Sequence, residues 1–211
     1  MREVLQKHKS FWFQRPSLTR GLIGLLFLAG SLFVNYFANI YTSITASNVV
    51  TDLILDRLPT VDMSFMFIYG ALLFLIILVM LLLYEPKDFP FVLKSIALFV
   101  IIRSFFMVLT HLAPPIAGVQ GYGIKGLDVI SSGDDLFFSA HTGLPFMLAL
   151  IYWRRPFWKY FFLISTITGA VSVLLGHLHY SIDVFSAFFI AFGIYNIARK
   201  FFAKDYELFA V

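Results

Sequence analysis

The sequence contains no cysteine, so neither a disulfide framework nor a thiolate metal site can form. Charge is also scarce. Asp, Glu, Lys and Arg make up 13% of the 211 residues, against about a quarter in a soluble domain. Hydrophobic residues reach 60% and the mean hydropathy is +0.85, which points to lipid as the solvent. Once spans of about 20 residues are assigned, too little chain remains for a sizeable second domain. No long-period repeat or low-complexity tract interrupts the pattern.

Apolar length gives six expected spans: Gly21–Tyr41, Ser64–Tyr84, Phe91–Ala113, Leu136–Trp153, Phe157–Leu175 and Tyr180–Phe201. The fourth is interrupted by His141 and Pro145. The first follows a basic stretch but is long and has no small-residue cleavage site, so it reads as a retained anchor rather than a signal peptide.

Lys and Arg orient these spans. Twelve of the 16 fall on one side, in 1–20, at Lys87, in 154–159 and in 199–204; the opposite loops hold only Arg57 and Lys125. Lys94 and Arg103 lie within the third span. The sequence pI near 9.3 therefore reflects topology rather than nucleic-acid binding. The expected fold class is all-α: a polytopic membrane protein of six transmembrane helices with both termini cytoplasmic. Its parts are a basic cytoplasmic or interfacial segment 1–20, a membrane domain 21–203 and a short cytoplasmic tail 204–211. Segment 1–19, with Phe11, Trp12 and Phe13 among basic residues, reads either as a plain positive flank or as a short amphipathic interface helix.

Two polar clusters fall on the opposite, noncytoplasmic side. A glycine-rich loop, 111–135, leads into Gly133-Asp134-Asp135 and then Ser139-Ala140-His141-Thr142. The loop either lines a cavity or serves as a flexible connector. Later comes Gly176-His177-Leu178-His179-Tyr180-Ser181-Ile182-Asp183-Val184. His179 and Asp183 are four apart and share a helix face, where the carboxylate can fix the imidazole tautomer and raise the nucleophilicity of its other nitrogen. The same pair could instead bind metal or relay protons. The starts of the fourth and sixth spans are expected to offer free N–H groups to a phosphate. Arg103, about ten residues and 15 Å from the outer end of its span, is expected to face a polar interior, as an anion contact or as structural glue to Asp134 or Asp183. His8, His111 and His177 have no comparable partner pattern.

These residues resemble the type 2 phosphatidic acid phosphatase superfamily, and within it the sphingomyelin synthase branch. The likeness runs from Arg103 to Phe188 through Gly133-Asp134, Ser139-Ala140-His141-Thr142, His179-Tyr180-Ser181-Ile182-Asp183-Val184 and Ala187-Phe188. It implies six spans with an exoplasmic site. It implies that His179 is a nucleophile carrying a phosphohistidine, that Asp183 orients it, and that His141 acts as acid and then base. Substrate contacts are expected from Arg103, Asp134, Ser139 and Tyr180, with no metal and no cofactor.

Three departures bear on substrate. Ala140 replaces the family's glycine. Ser172 and Val173 stand where the phosphatase branch has Ser-Arg, seven and six residues before its histidine. Arg15-Pro16 and Arg155-Pro156, which imitate that branch's early Lys…Arg-Pro motif, belong to the cytoplasmic side. Fewer clamps favour a phosphodiester over a phosphomonoester. The expected activity is transfer of a phospho-headgroup from a membrane phospholipid to a lipid alcohol. The alternatives are a lipid phosphate phosphatase using water, or a non-catalytic lipid-binding or transport relative. The short chain suggests a bacterial plasma (inner) membrane with the site on its extracytoplasmic face.

Overall fold

The structure is a computed structural model and describes residues 2–115 and 137–210. Among these residues it is helical, with no strand beyond one isolated bridge between Asn48 and Leu112. The helices are α1 (Arg2–Trp12), α2 (Arg15–Thr45), α3 (Ser64–Tyr84), α4 (Phe89–Leu109), α5 (Ala140–Ile151), α6 (Pro156–Leu175), α7 (Ser181–Phe201) and α8 (Ala203–Ala210), with a 3-10 turn at Leu55–Arg57. Five of them (α2, α3, α4, α6 and α7) are long and apolar enough to cross a membrane; α5 is a shorter apolar helix. The molecule is a polytopic membrane protein.

Cross-chain bonds define two ends. At the first, Lys7 meets Glu85, Arg155 pairs with Asp88, and Asp205 receives both Lys94 at 2.6 Å and Arg20 at 3.7 Å. At the second, the Ser47 amide donates to the His111 carbonyl, Val61 to Leu175, and Ser139 to Asp183. Helices α2, α4 and α6 therefore run from the basic end to the second end, and α3, α5 and α7 run back. The Lys- and Arg-rich segments collect at the first end, as the charge asymmetry predicts.

Packing follows the rules of a lipid solvent. Apolar contact between helices gains little over contact with acyl chains, so small residues that allow close approach decide who packs with whom. The buried face of α2 is Ser17, Gly21, Gly24, Ser31, Ala38 and Thr42, together with Asn39, and α2 lies along α4. A Cβ at Gly24 would sit 3.4 Å from Leu93. The central cluster comprises Phe91, Phe99, Phe138, Met147, Tyr152, Phe162, Ala187 and Ile194 among others, contributed by α4, α5, α6 and α7. Conversely, Phe65, Leu72, Leu73, Ile76 and Met80 of α3 are exposed, as lipid-facing side chains are.

Four elements refine or change the expected layout. Helix α2 starts at Arg15, six residues before the predicted span, because Pro16 in its first turn presets the helical φ. Segment 2–12 is a helix folded back on the basic end: His8 Nε2 lies 2.6 Å from the Leu83 carbonyl, and the Trp12 ring packs on Phe89. The tail is α8, whose Phe209 and Asp205 are buried. The fourth expected span, Leu136–Trp153, is the largest change. Its helix has only 12 residues, about 18 Å against roughly 30 Å of hydrocarbon. Positive φ angles at Phe137 (86°) and Phe138 (29°) place these two residues outside the helix. The Phe138 carbonyl accepts Arg103 Nε at 3.3 Å, and Arg103 lies six residues, about 9 Å, inside the end of α4. The start of α5 is thus recessed within the bundle.

Candidate active site

The turn between α6 and α7 delivers the first histidine pair. Helix α6 closes with a Schellman motif: the Leu178 amide donates to Val173 and the His177 amide to Leu174. His177 occupies its left-handed position, φ 51°, one that histidine tolerates better than most non-glycine residues. Its Nε2 lies 3.2 Å from the Leu58 carbonyl, so this histidine belongs to the turn. Val173 and Leu178 make the apolar contact that accompanies such a cap, joined by Val184 and Phe67. Val173 is fully buried there.

The chain then places His179 and Asp183 together. His179 Nδ1 lies 3.2 Å from Asp183 Oδ2, and both side chains are buried. The same oxygen accepts the Tyr180 amide at 3.0 Å, fixing the carboxylate as part of the α7 cap. An imidazole held through Nδ1 presents Nε2 as its free nitrogen, the arrangement needed for nucleophilic or general-base work. Asp183 Oδ1 has no hydrogen-bond partner among the described residues.

Residues of α5 approach from the other side. The Ser139 amide donates to the Asp183 carbonyl at 3.0 Å, so the two clusters meet directly. Ser139 Oγ and Thr142 Oγ1 are buried and, like Asp183 Oδ1, lack partners among the described residues. Three such oxygens at one junction form an acceptor- and donor-rich site rather than a finished core. His141 stacks on Phe67 with ring centroids 4.1 Å apart, and Phe67 also packs on the Val173–Leu178–Val184 cluster. Arg103 holds the Phe138 carbonyl and Met107 Sδ, at 3.3 and 3.1 Å, directly beneath Ser139.

Tyr180 points away from this junction. Its hydroxyl donates to the Ala113 carbonyl at 3.0 Å and accepts the Val50 amide at 3.2 Å, bracing the 46–50 and 110–115 loops. Asp134 lies outside the described residues. At the N-terminus of α7 two amides already serve carboxylates: Ser181 donates to Asp52 Oδ2 at 2.6 Å and the N-cap Tyr180 to Asp183 Oδ2 at 3.0 Å. Both acids also complement the positive dipole end of the helix.

Asp52 was not foreseen. It is buried in the loop after α2, and its other oxygen accepts the Ile54 and Leu55 amides at 2.9 Å each. Burial alone would raise its pKa. The amides of Leu55, Ser181 and Ile54 outweigh that and hold the carboxyl below its usual 3.8. The local signal was an Asp two and three residues before a short turn, but only folding brings Ser181 to it. Gly169 was also missed. A Cβ there would collide with the His141 carbonyl, so this glycine lets α6 approach α5 at the histidine. A lone glycine inside an apolar span was its only mark. Among the described residues no group of three or more His, Asp or Glu side chains is placed to hold a metal ion.

Residues 133–200 match a family model described as PAP2 superfamily C-terminal. That stretch, about a third of the chain, contains Ser139, His141, His179 and Asp183, and it is similar to that family's C-terminal part. No curated protein and no solved structure matches the chain.

Proposed function

We infer that this PAP2-like membrane enzyme is a lipid phosphotransferase, moving a phospho-headgroup from a phospholipid to a lipid alcohol on the noncytoplasmic face. The observation that carries this reading is the His179–Asp183 pair joined to the start of α5 through the Ser139–Asp183 bond. His179 Nε2 attacks phosphorus as the bond from phosphorus to the donor's lipid alkoxide breaks, and His141, protonated, gives its proton to that leaving oxygen. The phospho-headgroup is then held on His179 through an N–P (phosphoramidate) bond. Asp183 keeps Nδ1–H oriented and stabilises the positive ring. His141, now neutral, takes the proton of the incoming alcohol; its oxygen bonds to phosphorus and the N–P bond breaks.

The phosphoryl oxygens are received by Ser139 Oγ, Thr142 Oγ1 and Arg103, with Asp134 a further candidate from the loop before α5. The cation complement argues for a diester. Val173 is committed to the α6 cap where the phosphatase branch has arginine, and a diester phosphate carries about one negative charge against nearly two on a monoester at pH 7. The recessed start of α5 suits a substrate whose chains stay in the membrane. On the positive-inside reading the site faces away from the cytoplasm, toward the extracytoplasmic side of a bacterial plasma membrane.

The test is purified protein in mixed vesicles with a headgroup-labelled phospholipid and a panel of acceptor alcohols, read by mass spectrometry against His179→Ala. Acceptor-dependent headgroup transfer that vanishes in the variant supports the reading. Release of the free phospho-headgroup without an acceptor lipid would assign water as the acceptor. No turnover with any pair, and no labelled His179, would remove the catalytic assignment altogether.

A further inference from the structure

The basic end carries a cavity that the catalytic reading does not use. It has a volume of about 350 Å³ and lies between the C-terminal ends of α5 and α7 and the tail helix α8. Such a size falls in the range of small-ligand clefts, about 300–1,000 Å³. Its walls hold three arginines, Arg154, Arg155 and Arg199, and no carboxylate among the described residues. Arg155 is pinned, since Asp88 behind it accepts from both guanidinium nitrogens, which neutralises that one cation. Arg154 and Arg199 pair with no carboxylate among the described residues, so the lining keeps a net positive charge.

Aromatic rings of the wall lie against two of the three arginines. Arg199 lies over Tyr195 and Tyr206, at 5.4 and 4.7 Å from the ring centroids, and Arg155 over Tyr152 and Phe209 at 5.3 and 4.9 Å. Stacked guanidinium groups leave their N–H edges for a planar or tetrahedral oxyanion. Leu150 and Ile151 supply an apolar wall. Beside it, exposed Trp153 carries Lys159 over its ring at 4.9 Å, the pairing expected at headgroup depth.

We propose that this cavity binds the phosphate headgroup of an anionic phospholipid from the leaflet at the basic end, opposite the His179 site. The shared recognition chemistry is a phosphate oxyanion on Arg154 and Arg199. What favours a lipid over a free anion is the apolar wall at headgroup depth, which a soluble phosphate would leave uncovered.

Native mass spectrometry of the full chain released from phosphatidylcholine nanodiscs, with or without phosphatidylglycerol, reads occupancy. Retained phosphatidylglycerol is expected to fall roughly fivefold per charge removed in R154Q/R199Q. It should fall similarly in A210W, which fills the cavity without changing charge. The K9Q/K204Q control removes the same charge from the basic end outside the cavity and should retain the lipid. Equal loss in that control, or full retention in A210W, overturns the proposal. Inorganic phosphate added to wild type should not displace the lipid; displacement would make the ligand a free anion and overturn it too. A photoactivatable phosphatidylglycerol on wild-type protein removes dependence on variant folding. Crosslinks within 150–155 or 195–210 support the site, and crosslinks confined elsewhere refute it. None of these readouts involves turnover, so they stand or fall apart from the His179 chemistry.

Discussion

The Asp52 carboxylate accepts the Ser181 amide at 2.6 Å across 129 residues of sequence. The loop after α2 thereby caps the helix whose first turn carries Asp183. Because Asp52 also receives Ile54 and Leu55, it is the joint between the outer loops and the candidate site.

Asp52→Ala should therefore cost about 1–2 kcal/mol of stability, the scale of a lost helix cap plus an unpaired amide. Asp52→Asn keeps the shape and one acceptor oxygen and should cost less. Thermal unfolding of both variants in the same detergent checks the order. Equal stability of wild type and Asp52→Ala would show that the cap is redundant.

The same carboxyl sets an acid limb. Its folded pKa is below the ordinary 3.8. Its stabilisation is therefore complete above 3.8 and lost as pH falls through the lower folded value. Acid titrations of stability should show wild type and Asp52→Asn converging below that window and separated above it. Parallel curves throughout would contradict the linkage.

Asp183→Asn isolates orientation from nucleophilicity. The amide can still cap α7 yet cannot stabilise a positive His179 ring. Turnover should drop by two to four orders of magnitude, roughly the range of lost base orientation in other histidine-dependent sites. A phosphoenzyme trapped on His179 should still form, slowly. Comparable trapping rates in wild type and variant would assign Asp183 to structure alone.

Gly169→Ala tests the approach of α6 to α5. The added methyl meets the His141 backbone carbonyl, which cannot move without shifting α5. Overpacking of this kind costs about 1–3 kcal/mol, and activity should fall more than the melting temperature suggests because His141 moves with the helix. Gly30→Ala, where a methyl meets nothing within 4 Å, is the control. Similar behaviour of the two variants would discount the contact.

The sequence by itself determined the membrane class, the positions of the long spans and the charge asymmetry. Those depend on local quantities: hydropathy summed over about 20 residues and counts of Lys and Arg. Ser64–Tyr84 was read to the residue because an unbroken apolar run ends at Glu85-Pro86. The His179–Asp183 contact was legible from the spacing of four, but not its cause: His179 lies two residues before α7, so the pair meets at the helix cap, through the N3 carboxylate, and not on a shared helix face. The late start of α5 was not legible. Phe137 and Phe138 are apolar and read as part of the span, but their positive φ angles, with ring packing and Arg103 on the Phe138 carbonyl, place them outside the helix. Nor could the sequence reveal that Asp52 closes the α7 terminus, that Gly169 makes room for His141, or that Tyr180 braces the loops. Each is a contact between residues far apart in the chain, and such pairs are chosen by how the helices pack rather than by any local pattern.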